Sequence, residues 1–404
     1  MRGGQDPPTA HAGRRALRFA LRVFVPLRMA LSAVALLVRA LYRGDLSPDP
    51  ILRPYLGVSP VEDGWRGLLL GVWQRWDTLW YTLIAREGYS LDDTRIFAPP
   101  LYPWLMRLAG RLLGGSETAY LVGGLIVANL AGIAFLAYLY ALVEGEWGEA
   151  LARRCVVYVA IFPTAFFLLA AYSESLFMLC VVAALYHARI GRQWVVACLW
   201  ASLAPLARLP GIAIVVPLII EFARQWQESR GTEHPLAWWS GWPLLLSVLG
   251  GLAYPLYVRF VLGAGTLWAP YAVHRQRFVG QFAMPWQSVW RAICVLASGE
   301  FRTVEPFDLF FTLLFIGLTV AAFRRLPLAY AAYMAMMLLG ALAKVGEVQP
   351  LLSLSRYVLV LFPGFVLLAM AGERSAWWNR AIVYPSLALL VFFTGQFAMW
   401  GWVG

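Results

Sequence analysis

Asp77 stands in an aromatic setting, within Arg75-Trp-Asp-Thr-Leu-Trp-Tyr-Thr-Leu-Ile-Ala-Arg-Glu-Gly-Tyr89. An acid so close to apolar surface loses hydration and is costly to leave idle. Such a group suits a catalytic base at a membrane–water boundary. It also suits a helix cap, because Asp ahead of Thr-Leu-Trp-Tyr is a good N-cap. Tyr81 is four residues on and shares a helical face with Asp77, so its hydroxyl can support the base. Glu87, ten residues on, makes only a weak acid–base partner and fits a loop or cap better. Asp92-Asp93 fits a solvated turn better than a divalent-cation site, so no metal is expected.

A second acid sits at Tyr172-Ser-Glu-Ser175, where two apolar runs meet. Ser173 can cap the following helix, and Glu174 falls in its first turn, where the helix dipole favours a carboxylate. Glu174 can equally line a site that faces the compartment of Asp77. Arg208 and Arg356 each stand at the end of an apolar run. A guanidinium there can clamp a phosphate through two hydrogen bonds, or anchor the chain at the headgroups. Arg356, after Ser353-Leu-Ser355, stands at the mouth of a span and is the stronger of the two. His274, Arg275 and Arg277 form a further basic cluster. In Phe278–Leu296, Trp286, Trp290 and Ile293 recur at helical spacing, as on a helix lying on the membrane surface.

These residues need elements to hold them, and composition identifies the elements. The chain is 61% hydrophobic and 14% charged, with a mean hydropathy of +0.66. Soluble domains run near 45–50% apolar and 25% charged, so this is a polytopic all-α membrane protein. Spans are predicted near 20–42, 118–143, 154–172, 174–189, 194–208, 210–223, 238–262, 306–323, 327–343, 357–371 and 379–401, about eleven in all. The 19 Trp and 18 Tyr suit aromatic belts at both interfaces.

The net charge of +11 comes from arginine, Lys344 being the only lysine. Thirteen of the 32 arginines lie in short connections: Arg14-Arg15-Arg18, Arg153-Arg154, Arg189 with Arg192, Arg224 with Arg230, Arg324-Arg325, and Arg374 with Arg380. The positive-inside rule makes that side cytoplasmic and removes nucleic acid as a partner. It also requires the proline-rich segment from Pro99 to Arg111 to lie at the interface rather than span. The loops 43–117 and 263–305 then face outward with the unusual polar motifs. Residues 1–15 are expected to be disordered and cytoplasmic, and 16–404 to form one membrane domain. Cys155, Cys180, Cys198 and Cys294 show no disulfide or zinc spacing.

Taken together, the motifs resemble the PIG-V-like mannosyltransferases of the GT-C superfamily. The matching strings are Trp76-Asp77, Ile84-Ala85 with Gly88-Tyr89, Leu101-Tyr102-Pro103, and Phe162-Pro163-Thr164 through Tyr172-Ser-Glu-Ser175. Arg208 with Gly211, Arg356-Tyr357 leading to Leu361-Phe362-Pro363, and Gly401-Trp402-Val403 complete the set. Where the family commonly has Phe-Phe-Pro-Leu-Tyr-Pro, this chain has Ala98-Pro99-Pro100-Leu101-Tyr102-Pro103.

The resemblance implies a GT-C-type fold with interfacial helices in the first external loop. It also implies an inverting transfer of mannose from a polyprenyl (dolichyl-type) phosphate mannose on the extracytoplasmic face. Asp77 would be the base, and Arg356 and Arg208 would hold the donor phosphate. Trp76, Tyr81, Glu87, Tyr102, Tyr172, Ser173, Glu174, Tyr357 and His274 would line the site. The acceptor would be a glycolipid, a cell-wall glycan or a protein, in a prokaryotic cytoplasmic membrane. A GT-C enzyme moving another lipid-linked sugar is one rival, and a lipid or solute transporter is another. Against the transporter, the halves show no repeat, and apart from Arg28 most charges map to span ends.

Overall fold

Long apolar runs with few breakers form helices, and the computed structural model describes residues 10–42, 49, 56, 58–276, 281–299, 301, 303–346 and 349–403. Helix α1 covers Ala10–Leu41, followed by the short α2 (Gly64–Leu69), α3 (Asp77–Glu87) and α4 (Leu101–Leu112). Next are α5 (Glu117–Trp147), α6 (Glu149–Ala160), α7 (Glu174–Arg189), α8 (Trp194–Ala207), α9 (Val215–Ser229) and α10 (Leu244–Phe260). After α11 (Ala269–His274), strand β1 (Gln281–Phe282) leads to α12 (Pro285–Ser298), α13 (Glu305–Arg325) and α14 (Leu328–Leu342). Strand β2 (Lys344–Val345) pairs antiparallel with β1, placing Phe282 opposite Lys344. The order is completed by α15 (Leu354–Tyr357), α16 (Phe362–Arg374) and α17 (Ala376–Ala398).

Among the described residues, six helices are long and apolar enough to cross a membrane: His11–Leu41, Glu117–Trp147, Leu209–Ser229, Trp238–Phe260, Glu305–Arg325 and Ala376–Ala398. Leu354–Val360 and Phe362–Arg374 add a seventh only across an 80° bend. The other expected spans differ for identifiable reasons. The segment 154–172 stops being α-helical at Ala160, just before Pro163, and continues as a 3₁₀ turn over Ala165–Leu168. The segment 357–371 breaks at Leu361, ahead of Pro363. Helices α7, α8 and α14 hold 16, 14 and 15 residues. At 1.5 Å per residue they rise about 21–24 Å, short of a hydrocarbon core of about 30 Å. Helix α7 is buried by its neighbours along nearly its whole length, so protein replaces lipid around it.

The N-terminal expectation also changes. Residues 1–9 lie outside the described ones, but from Ala10 onward the chain is helical rather than disordered. Ala12, Arg14, Arg15, Ala16 and Leu17 are strong helix formers and continue directly into the apolar run.

The break after α6 is what builds the interior. Residues 161–173 are buried throughout and form no continuous α-helix, so side chains satisfy several of their carbonyls. Arg28, from within α1, donates Nη1 to Leu169 O at 2.8 Å, and Asn129 Nδ2 donates to the same oxygen at 3.0 Å. Ser175 Oγ donates to Leu168 O at 2.8 Å and Thr78 Oγ1 to Ala171 O at 3.1 Å. The intramembrane arginine thus has a structural partner.

Two ends of the bundle differ in chemistry. At one end Arg15 pairs with Glu144 (2.8 Å), Arg189 with Glu146 (2.6 Å), and Arg154 with Glu373 (3.5 Å). There Tyr158 also donates to Asn379 at 2.7 Å. These contacts gather the start of α1, the end of α5, the start of α6, the ends of α7 and α16, and the start of α17. The opposite end carries α3, α4, the start of α7 and α15. Helix α4 has only 12 residues; Tyr102 and Met106 are buried while Trp104, Leu108 and Leu112 are exposed, as a non-spanning amphipathic helix requires.

Candidate active site

Asp77 opens α3, immediately after Trp76, whose φ of 54° is left-handed and unfavourable for a bulky residue. Neighbouring contacts over-determine this turn. The wholly buried Arg75 guanidinium donates to Gly71 O (2.6 Å), Glu62 Oε1 (2.9 Å) and Ala398 O (3.2 Å), and lies 4.6 Å from the Trp400 ring. Trp76 meets Trp400 and Trp402 edge-on, at 5.8 and 4.9 Å. The Tyr172 hydroxyl donates to Arg75 O at 2.9 Å and accepts from Asp77 N at 3.3 Å.

The Asp77 carboxylate accepts from Arg356 Nη1 at 2.7 Å. Arg356 Nε donates to Glu174 Oε1, which also accepts from Arg208 Nη1. Two carboxylates and two guanidiniums therefore alternate as Asp77–Arg356–Glu174–Arg208, and their formal charges cancel. Residues 77, 174, 208 and 356 come from four elements and lie up to 279 positions apart. The side chains of Glu174, Arg356, Arg208 and Asp77 are 0%, 6%, 14% and 19% exposed. Glu174 is closed off, whereas an incoming molecule can reach Asp77.

Each member is held from behind. Glu174 occupies the first turn of α7, where the dipole supports its charge. Arg356 follows a left-handed Ser353 (φ 64°), and its guanidinium lies 4.8 Å from the Phe167 ring and 4.7 Å from that of Tyr172. Both backbone groups of the preceding Ser355 are fixed: Asp308 accepts from its N at 2.8 Å, and Thr164 donates to its O at 2.9 Å. Arg208 ends α8, and Gly211 lets the chain turn tightly behind it. A Cβ at Gly211 would sit 2.4 Å from Ala204 O.

Tyr81 and Ser173 join through their hydroxyls at 3.2 Å. Burial first, then the Asp77 and Glu174 carboxylates, push the Tyr81 phenol far up, keeping it a proton donor. Tyr102 stands one layer deeper, edge-on to Tyr81 at 5.0 Å, with its hydroxyl on Gly124 O at 3.0 Å. Tyr357 presents its ring to Arg208 at 5.7 Å and to Lys344 at 4.5 Å.

His274 packs against Phe97 at 6.3 Å, and burial, then the Lys344 and Arg208 charges, pushes its imidazole from 6.5 down to about 3. A depressed folded value means stability that is complete above 6.5 and lost as pH falls toward 3. Wild type should therefore lose stability relative to His274→Asn between pH 6.5 and 5, by at most about 1.4 kcal/mol per pH unit. Thermal unfolding of both proteins at each pH measures this, and parallel curves would refute it.

Other expected residues lie elsewhere. Glu87, at the far end of α3, pairs with Arg86 (2.6 Å) and Arg95 (3.2 Å), and the bond from Arg86 holds its carboxyl below the usual range. Asp92 accepts from Ser90 at 2.7 Å, while Asp93 pairs with Arg95 at 2.6 Å. Arg277 lies outside the described residues. Sequence spacing missed Arg75, Asp308 and Lys344 as parts of the site or its support. The available signals were the uniqueness of Lys344 and two acids, Glu305 and Asp308, heading an apolar run.

The arrangement holds a reachable carboxylate beside cations that can take an anionic group. The model of the family described as mannosyltransferase (PIG-V) matches residues 20–229, over half of the chain. The chain belongs to this family. A relative, GPI mannosyltransferase 2 of Cryptococcus neoformans, is 32% identical over 147 residues, 34% of each chain. The match thus spans about a third of that relative's length. Among solved structures, ArnT from Cupriavidus metallidurans bound to undecaprenyl phosphate is similar with a TM-score of 0.49 and 13% identity, over 93% of this chain and 76% of ArnT. The Archaeoglobus fulgidus oligosaccharyltransferase is similar with a TM-score of 0.45 and 13% identity, over 91% of this chain and 53% of its own. Within the PIG-V match fall Asp77, Glu174 and Arg208, while Arg356 and Lys344 come from beyond it.

Proposed function

We propose that the protein is an inverting glycosyltransferase that moves mannose from a polyprenyl phosphate mannose to an acceptor hydroxyl. The observation that carries the mechanism is the unequal exposure of the two carboxylates on Arg356. Asp77 is reachable and Glu174 is not, so Asp77 is the base and Glu174 the buried counter-ion. Asp77 takes the acceptor's proton, and the acceptor oxygen attacks the anomeric carbon. The bond from that carbon to the phosphate oxygen breaks on the opposite side, releasing polyprenyl phosphate. The leaving phosphate is already a weak base and needs no proton. Cations suffice, and removing such a preorganised donor typically costs about 3–4 kcal/mol of transition-state stabilisation. Arg208 and Arg356 serve here.

Sidedness follows from charge. Arginine-rich connections mark the cytoplasmic end, so the site opens on the extracytoplasmic face of the membrane. The domain is a single GT-C-type membrane unit in this reading.

The test is sugar transfer by the purified protein in lipid, with polyprenyl-phosphate mannose, glucose and arabinose as donors and membrane glycolipids, glycans and peptides as acceptors. Mannose is expected to appear on an acceptor with an inverted anomeric centre. Transfer of another sugar in preference to mannose would overturn the donor assignment, and retention would overturn the single displacement.

A further inference from the structure

Helix α17 stops at Ala398, yet the residues after it turn back onto the site instead of leaving it. The turn is sharp. Trp400 is left-handed (φ 62°) and buried, and Gly401 N donates to Gln396 O at 2.8 Å. A Cβ on Gly401 would lie 2.2 Å from Gln396 Cγ and 2.8 Å from Gln396 O, so a side chain there displaces the segment. Gln396 Nε2 closes the turn by donating to Trp402 O at 3.3 Å.

Residues 397–402 thereby touch the supports of both partners in the Asp77–Arg356 contact. On the Asp77 side, the Trp400 and Trp402 rings brace Trp76. There Arg75 Nε and Nη2 also donate to Ala398 O, at 3.3 and 3.2 Å. The same guanidinium lies 4.6 Å from the Trp400 ring, and a desolvated cation gains most from an aromatic face. On the Arg356 side, the Phe397 ring meets Phe167 at 5.8 Å and Tyr172 at 5.9 Å. Those two rings flank the Arg356 guanidinium.

Trp76 holds a backbone conformation that its bulk disfavours, and such a turn survives only where its surroundings enforce it. The turn fixes where α3 begins, and hence where Asp77 points. We propose that Trp400 is a positioning residue: through Arg75 and Trp76 it holds the turn that aims the Asp77 carboxylate. This rests on the proposed role of Asp77 as the base. The role of Trp400 is geometric, so it bears on kcat rather than on binding.

Trp400→Leu removes the ring and should lower kcat by up to about 10²-fold, the scale set by displacing a reacting group by about 1 Å. KM for donor and for acceptor should stay within roughly threefold, as for an interaction that matters only in the transition state. Trp400→Phe restores a ring face for Arg75 and should recover most of the loss. Gly401→Ala keeps every ring but shifts the segment, so it should show the same kcat loss in milder form. It carries the test if Trp400→Leu does not fold.

Combination with Asp77→Asn separates positioning from general support. Transfer is measured on the full chain in lipid, well below each variant's unfolding temperature, with the residual activity of Asp77→Asn followed over longer times. If Trp400 works through the base, Trp400→Leu or Gly401→Ala should cost nothing further once residue 77 cannot take a proton. Unchanged kcat in both variants, an equal fold-loss in both backgrounds, a loss carried by KM alone, or a Phe variant no better than Leu would overturn the proposal. In each of those cases Asp77 keeps its role. Transfer by Asp77→Asn at the wild-type rate would instead remove the base, and this inference with it.

Discussion

Asp77→Asn is expected to lower sugar transfer by about 10²–10⁴-fold, the usual scale of general-base assistance, while the protein stays folded. Asparagine keeps the size of the side chain and an oxygen that still accepts from Arg356 Nη1, so the 2.7 Å contact can persist. What is lost is the ability to take a proton. The charge balance shifts from two carboxylates against two guanidiniums to one against two, but at the most exposed member of the chain, where water and ions compensate cheaply. The measurement is kcat in lipid beside thermal unfolding of the same preparation. A folded variant with transfer within a few-fold of wild type would remove Asp77 from the chemistry.

Glu174→Gln should behave in the opposite way, as a stability lesion first. Glu174 is fully buried and a single one of its oxygens serves both Arg208 and Arg356. Removing that charge leaves two guanidiniums facing each other without their shared anion. Breaking a buried ion pair from one side typically costs about 3–5 kcal/mol. Adding Arg208→Gln removes the uncompensated charge, so the double variant should be less destabilised than the sum of the two singles, by about 0.5–3 kcal/mol. Unfolding of the four proteins in one lipid system gives this cycle. Simple additivity would mean that the two side chains are not energetically joined. Transfer should fall in every variant that lacks Glu174, because Arg356 then loses one of the two anchors that aim it at Asp77.

The two lesions separate roles that sequence could not separate. Asp77 and Glu174 each read equally well as a cap or as part of a site, and both do sit at helix starts. Exposure distinguishes them, and exposure is a property of packing. The same holds for Arg356 and Arg208. Their types and positions at span ends were visible, but the direction in which each guanidinium points depends on neighbours up to 279 residues away.

Composition by itself determined that this is a helical membrane protein, since a chain 61% hydrophobic cannot hide that surface in water. It also determined the two chemically different ends, because arginine placement is a local property of each connection. The short α4 was legible too: prolines and arginines at Pro99–Arg111 forbid a span whatever surrounds them. Glu87 was misplaced in the site because sequence proximity to Asp77 is not spatial proximity along an 11-residue helix. Span counting failed where α7, α8 and α14 are short and where 161–173 unwinds. A helix shielded by protein need not match the bilayer, and a buried break is stable only if distant side chains satisfy its carbonyls. Arg28, Asn129 and Thr78 do so here, and no local pattern announces them. Only the tertiary structure decided which acid is reachable, which is sealed, and that the lone lysine and Arg208 share the Tyr357 ring. Those facts depend on which segments pack together, and hydrophobicity, being non-directional, does not specify that by itself.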